Sequence, residues 1–308
     1  MLLPDLTGIG CEHSHLFSIT RSNEIVDFDI VILYFVDHFS FMKQYKPLNI
    51  TTKKIMVVFG YESPFAVRLA LRLQLSIDYF THWVFSYYKS SYFYIPYGFF
   101  KKRDSRSREQ KIRVKKKKKG LVAVISNCNI KNTVRLRYIQ SLRKHVPISL
   151  YGHCFNHTIM HPEREKIISN HKFFLAFENS HCEDYNTEKY WHAILFGSIP
   201  IVMGYNKNLD HLIPGSYLDV FNFTNPKHLA QHLIEVMSNS KKEMSYHQWR
   251  KSYVANVPKF RMNGCEMLEK IYNFLTTNTG EDPTIHKLGN LEICMDPRHV
   301  ERMIMRKL

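Results

Sequence analysis

Apolar residues fall along this chain in two rhythms. Residues 29–36 (DIVILYFV) and 54–59 (KIMVVF) are continuous apolar runs of strand length, the pattern of strands buried on both faces in a parallel sheet. Residues 120–126 (GLVAVIS), 148–151, 173–177 and 199–203 repeat that pattern later in the chain. Between them, residues 66–77, 134–144, 163–170, 188–196, 227–237 and 265–275 space their apolar positions three or four apart and predict helices. Strand–helix alternation on both sides of residues 101–119 predicts two α/β units with parallel sheets. In such sheets ligands bind beyond the carboxyl ends of the strands. With two units present, the space between them is the expected active site.

Charge changes this picture at one place. Residues 101–119 (KKRDSRSREQKIRVKKKKK) hold twelve Lys and Arg against two acids, which is +10 of the formal net charge of +16. The block predicts a solvated interdomain linker, because like charges repel and resist packing. The competing reading is a basic nucleic-acid-binding protein. No C2H2 spacing, RNP-like aromatic motif or basic heptad region accompanies the block, which weighs against it. At 308 residues with 44% hydrophobic composition, the chain is long enough for two cores and is neither disordered nor a disulfide miniprotein.

Six cysteines, Cys11, Cys128, Cys154, Cys182, Cys265 and Cys294, include no C-x-x-C pair and leave all fifteen pairings open. Asn49, Asn156 and Asn222 open N-x-S/T sequons and are candidate glycosylation sites. No apolar run approaches the roughly 18 residues of a membrane-spanning helix. The histidines are scattered and form no ligand set, so no metal site is expected.

The stretch with most chemical content is 173–204, FFLAFENSHCEDYNTEKYWHAILFGSIPIVMG. A strand ends at Glu178-Asn179-Ser180, and a polar loop leads through Tyr185 to a helix starting near Thr187-Glu188-Lys189. Thr187 is a plausible N-cap. A helix start in that position offers free N–H groups and a positive dipole end, a ready anion site, and Lys189 adds a full charge. Glu188 suits a pair of sugar hydroxyls.

The patterns F-x-x-A-F-E-N-S, D-Y-x-T-E-K and A-x-x-x-G-x-I-P-I-V-x-G in this stretch resemble the α1,3-fucosyltransferases, the family-10 glycosyltransferases. Tyr61-Glu62-Ser63-Pro64 is similar to that family's E-S-P motif, and Ile95-Pro96-Tyr97-Gly98 to its V-P-Y-G. Ser126-Asn127-Cys128, Arg135, Tyr138 and Tyr151-Gly152-His153-Cys154 resemble its S-N-C…R-x-x-Y…Y-G-x-C run. The resemblance covers residues 11–275.

It implies a GT-B fold, two Rossmann-like domains facing across a cleft. The implied division is an N-terminal acceptor-side domain at 1–100, incomplete at its start, the linker at 101–119, a GDP-fucose-binding domain at 120–290 and a tail at 291–308. It implies inverting transfer of fucose from GDP-fucose to O3 of an N-acetylglucosamine in a glycan, with no metal and no nucleic acid involved. Glu62 matches the proposed general base. Arg135 and Lys189 match groups on the donor phosphates, Glu188 the group on the ribose, and Tyr185 a donor-pocket residue. Glu178 and Asn179 belong to the same donor motif without a distinct role. Members are Golgi type II membrane proteins; no anchor is visible here. An inverting displacement needs a carboxylate to take the acceptor proton, and the leaving diphosphate needs cations.

Two stretches depart from the family. Its His-His-Arg/Trp-Asp segment is here Tyr34-Phe35-Val36-Asp37, and its Y-R-R-D-S-D is Tyr87-Tyr88-Lys89-Ser90-Ser91-Tyr92. Both lie on the acceptor side. They favour, as an alternative, a weak or inactive relative that binds nucleotide sugar or glycan.

Overall fold

In a computed structural model the described residues are 12–16, 30–34, 55–71, 83–104, 119–128, 134–205, 209–257, 264–277, 287 and 290–306. Asn49, Cys11, Phe35 to Asp37, residues 72–77 of the first expected helix and residues 105–118 of the basic block lie outside them. The chain divides into two compact units, Met1–Pro96 with Pro258–Leu291, and Tyr97–Val257 with Glu292–Leu308.

The first unit holds a four-stranded parallel sheet in sequential order: β1 (Ile30–Tyr34), β2 (Ile55–Gly60), β3 (Trp83–Ser86) and β4 (Phe93–Tyr94). β3 is buried at all four positions, and Phe85 and Phe93 pack with ring centroids 4.3 Å apart. Ser86 stays inside because its hydroxyl donates to the Gly60 carbonyl at 3.0 Å. After β2 the chain turns through Tyr61-Glu62-Ser63 into α1 (Pro64–Leu71). Proline at the first helical position gives up no bond, and the Ser63 hydroxyl accepts from the Ala66 amide at 3.4 Å. Helix Gly264–Thr277 belongs to this unit and is tied to the β4 segment: Lys270 Nζ donates to the Tyr92 carbonyl at 2.9 Å.

The second unit is larger. Its chain runs through β5 (Phe99–Lys102), β6 (Lys119–Val124), α2 (Arg135–Leu142), β7 (Ile148–Tyr151), α3 (His161–Asn170), β8 (His171–Phe177), α4 (Glu188–Leu195), β9 (Ile199–Met203), β10 (Leu218–Asp219), α5 (Pro226–Ser238) and β11 (Tyr253–Asn256). Five strands form a parallel sheet in the order β10-β9-β8-β6-β7. Phe173, Leu175 and Phe177 of β8 join Leu121 and Ala123 of β6 in one core layer, covered by Tyr138, Ile139 and Leu142 of α2 and by Leu229, Leu233 and Val236 of α5. The alternate residues Phe174 and Ala176 are buried too, and α4 packs on β8 and β9. Burial on both faces explains the unbroken apolar runs in the sequence.

Three observed boundaries differ from the expected ones. The basic block does not begin as a linker: Phe99–Lys102 pairs antiparallel with Tyr253–Asn256, Arg103 Nε donates to the Arg250 carbonyl at 2.7 Å, and Lys119 already belongs to β6. Strand pairing satisfies backbone groups whatever the side-chain charge, and Lys101 and Lys102 point their charges to solvent. The segment after 291 is not a loose tail. Helix Pro297–Ile304 is capped by Asp296, whose carboxylate accepts from the amides of Arg298 and His299, and it buries Val300 and Ile304 in the second core. Helix Gly264–Thr277, expected within the donor domain at 120–290, belongs to the first unit.

Among the described residues no helix is long and apolar enough to cross a membrane. Gly98 has a packing reason to be glycine, since an added Cβ would land on the Trp191 indole.

Candidate functional site

The order β10-β9-β8-β6-β7 fixes where a ligand site can form in the second unit. From β6 the chain moves outward to β7, then returns to β8 on the other side of β6 and continues to β9 and β10. The carboxyl ends of β6 and β8 therefore flank the point where the winding reverses, the usual ligand position in a doubly wound sheet. Ser126 and Asn127 leave β6 there, and Glu178 and Asn179 leave β8.

Arg135, the first residue of α2, closes this point. It is 2% exposed, and its guanidinium donates to the Phe177 carbonyl at 3.2 Å and to the Asn127 carbonyl at 2.6 Å. One side chain thus bridges both strand ends. Burial pulls the Arg135 pKa down, while Glu178 and Tyr185 act in the opposite direction.

Glu178, 1% exposed, stands between this arginine and the start of α4. Its Oε1 accepts from the Thr187 amide at 2.9 Å, the Thr187 hydroxyl lies 2.9 Å from both carboxylate oxygens, and Oε2 accepts from Lys189 Nζ at 2.8 Å. Lys189 Nζ also donates to Thr187 Oγ1 at 2.7 Å and to Glu188 Oε1 at 3.4 Å. Burial would lower the Lys189 pKa, but Glu178 and Glu188 outweigh it and the value is raised. Glu188 is reached from α3 by Arg164, 3.6 Å away. Burial would raise Glu188, yet Lys189 and Arg164 hold it at about 2. Three cations and two carboxylates share one network.

Thr187 occupies the N-cap position of α4 but does not cap it. Its side chain makes no bond to the first-turn amides, because its hydroxyl is committed to Glu178 and Lys189. The first-turn amides therefore receive no acceptor from Thr187, and the Glu188 carboxylate accepts from its own backbone N–H there. Tyr185, 3% exposed, meets the Tyr97 ring edge-on at 6.5 Å. Asn179 Oδ1 is buried and meets no donor among the described residues.

The loop carrying these groups is braced from behind. Cys182 is bonded to Cys294, with backbone bonds from Glu183 N to Ile293 O at 3.0 Å and from Met295 N to His181 O at 2.8 Å. Cys128, beside Asn127, is bonded to Cys154, and Cys265 is also in a disulfide. His181 is fully buried and pushed down to about 4 by burial, with Arg135 adding to the effect, so it is neutral and no phosphate-binding cation.

The structure brings Arg135, Glu178, Glu188 and Lys189 into one network and sets Asn179 and Tyr185 in the same loop. Glu62 belongs to the first unit, just past the carboxyl end of β2. It is half-buried, and its carbonyl accepts from the Tyr87 hydroxyl at 3.3 Å. Asn156 is exposed in a left-handed turn (φ 53°), and Asn222 is exposed at the end of a short 3-10 helix. Sequence reasoning missed Arg164 and the second role of Thr187. Neither leaves a sequence signal, since both depend on how α3 and the loop pack.

Residues 114–285 match the model of glycosyltransferase family 10 (fucosyltransferase), C-terminal part. The chain belongs to this family. The 4-galactosyl-N-acetylglucosaminide 3-alpha-L-fucosyltransferase 9 of Rattus norvegicus is 36% identical over 186 residues, 60% of this chain and 51% of that protein. The 3-galactosyl-N-acetylglucosaminide 4-alpha-L-fucosyltransferase FUT3 of Bos taurus is 32% identical over 199 residues, 64% of this chain and 53% of the relative. The chain spans about half the length of the curated relatives it matches. Crystal structures of an α1,3-fucosyltransferase with GDP and with GDP-fucose each align at a TM-score of 0.53 and 15% identity. They cover 85% and 82% of this chain, and 82% and 80% of theirs. This family member therefore has the GT-B fold class of those enzymes, α/β with parallel sheets.

Proposed function

We propose that this family-10 protein is an inverting α1,3-fucosyltransferase that moves fucose from GDP-fucose to O3 of an N-acetylglucosamine in a glycan. The observation that carries the reading is the mostly buried pair of cations, Arg135 and Lys189, at the winding reversal of the second sheet. In this reading Arg135 and Lys189 hold the donor diphosphate beside the start of α4. Glu188, ionised throughout the physiological range, accepts from the ribose hydroxyls. Asn179 Oδ1, a buried acceptor that meets no donor among the described residues, takes an N–H or O–H of the nucleotide sugar, and Tyr185 lines the same pocket. Glu62 removes the proton from the acceptor O3 as that oxygen attacks C1 of fucose. The C1–O bond to GDP breaks, the configuration inverts, and the charge developing on the diphosphate is met by cations already in place. Two cations and a helix start supply that stabilisation, so no step requires a metal ion. A Golgi lumenal setting and glycans on Asn156 and Asn222 follow from the same reading.

The test is product analysis with GDP-fucose and N-acetylglucosamine-containing acceptors, comparing wild type with Glu62→Gln. The variant is expected to lose about 10²- to 10⁴-fold in rate, the usual contribution of a general base, while GDP binding by calorimetry stays within about twofold. Turnover at the wild-type rate would remove Glu62 from the base role.

A second reading, a relative that binds the donor without turnover, is favoured by one feature of the first unit. Where the family's segment carries two acids, Ser90 and Tyr92 stand here, Ser90 exposed and Tyr92 bonded through both its carbonyl and its hydroxyl to Lys270. GDP binding with no product from any acceptor would select it.

A further inference from the structure

We propose that Glu178 is the internal counter-ion of Lys189, a positioning residue that sets how Lys189 grips the donor diphosphate. This rests on the donor-binding reading above.

Every group bonded to the Glu178 carboxylate among the described residues is a donor: the Thr187 amide, the Thr187 hydroxyl and the Lys189 ammonium. Only a carboxylate, which accepts and never donates when ionised, satisfies all three. The side chain is buried at the end of β8, so its position is fixed by the sheet and not by the loop.

The ammonium has three N–H bonds to give. Two are short, to Glu178 at 2.8 Å and Thr187 at 2.7 Å, and the third, to Glu188, is long at 3.4 Å. The contact an arriving phosphate oxygen displaces is therefore the one to Glu188. That exchange leaves Lys189 anchored and frees Glu188 for the ribose. Lys189 faces Glu178 from β8, Glu188 and Thr187 from its own helix, and Arg135 from α2, with Arg164 of α3 acting through Glu188. Glu178 and Glu188 are the groups in that set that favour a charged lysine, against burial and Arg135. Removing Glu178 strips away the first of them. The lysine pKa then falls, and the cation is lost as pH rises through the lowered value.

The experiment measures GDP affinity by calorimetry from pH 6.5 to 9 for wild type, Glu178→Gln and Glu178→Asp. Wild type is expected to bind with nearly constant affinity over this range. Glu178→Gln should bind within a few-fold of wild type at pH 6.5 and weaken at least tenfold more by pH 9. Glu178→Asp keeps the charge but draws it back, so its pH profile should stay flat at an affinity at least fivefold weaker. A loss in Glu178→Gln that is the same at every pH would mean a packing role only and overturn the assignment, as would wild-type affinity throughout. If Glu178→Gln fails to fold, the aspartate variant decides, and unchanged affinity there overturns the assignment. A wild-type chain that does not bind GDP would overturn the donor reading itself, and this assignment with it.

Discussion

Two carboxylate sites of the second unit, around Glu178 and at Asp219, lie on the carboxyl edge of one sheet and are opposite in kind. At the β6–β8 reversal, Glu178 and Glu188 sit among Arg135, Lys189 and Arg164, and Glu188 is held at about 2. At the end of the edge strand β10, Asp219 is 8% exposed, accepts from the Phe221 amide at 3.0 Å and lies near the hydroxyls of Tyr138 and Tyr217. Burial pushes Asp219 up to about 6, and the Phe221 N–H only partly offsets it. Desolvation acts upward on Glu188 and Asp219 alike, so it cannot separate them; the cations do. An acid made unfavourable by burial is a local cost. An acid embedded in excess positive charge marks a place built for a further anion.

Deleting the central cation should break this contrast most severely. Lys189→Met keeps the apolar stem and removes the charge, leaving Glu178 buried beside donors but without its ion-pair partner. Breaking a buried pair from one side costs about 3–5 kcal/mol, which lowers the melting midpoint by roughly 10 °C in a protein of this size. GDP affinity should fall at least about fiftyfold, the effect of losing a charge-assisted contact. A variant that melts like wild type would show that Glu178 is compensated elsewhere and that the contrast with Asp219 is false.

Asp219→Asn probes the other side. The folded pKa of about 6 lies above the ordinary value of 3.8, so the folded chain holds this proton more tightly than the unfolded one. The associated stability is complete below about 3.8 and is lost as pH rises through 6. Asparagine keeps the acceptor for Phe221 and never ionises. The variant should be more stable than wild type at pH 8, by at most about 3 kcal/mol, and indistinguishable below the ordinary aspartate value. Urea unfolding at the two pH values checks this. Glu188 behaves with the reverse sign: its stabilisation is complete above its ordinary value of 4.5 and is lost as pH falls through about 2. No gain at pH 8 would mean that Asp219, too, has a cation.

Six of the nine described strands in the two parallel sheets, β1, β2 and β6 to β9, were legible because burial on two faces writes unbroken apolar runs, as in residues 173–177 and 199–203, while the short strands β3, β4 and β10 went unread. Arg135, Glu188 and Lys189 were legible as motif residues, and the structure joins them. Glu178 was legible only as a letter of the same motif. Its partners lie nine and eleven residues further on, and only the folded loop brings them to it. Thr187 looked like an N-cap because spacing cannot show that a hydroxyl has a stronger competitor than the helix amides. The C-terminal helix escaped notice because it buries only Val300 and Ile304, and the disulfide just before it, Cys182 to Cys294, spans 112 residues. The basic residues at 101–103 concealed a strand, since charge repulsion is a side-chain property and pairing with β11 is a backbone one.

The smallest expected effect tests whether position or mere number of cations matters. Helix α2 carries a second arginine, Arg137, two residues beyond Arg135. Residues two apart do not share a helix face. Arg137 accordingly turns away from the reversal and pairs with Glu301 through two bonds of 2.7 and 2.8 Å, with the side chains 40% and 32% exposed. Solvent screens such a pair, so Arg137→Ala should cost no more than about 1 kcal/mol, a shift of roughly 2–4 °C in the melting midpoint. GDP affinity should be unchanged within error at moderate salt. The same alanine at Arg135 removes a buried cation tied to both strand ends and should weaken GDP strongly. If the two variants weakened GDP equally, diffuse positive charge would account for binding, and the buried network at the β6–β8 reversal would lose its distinction from the surface.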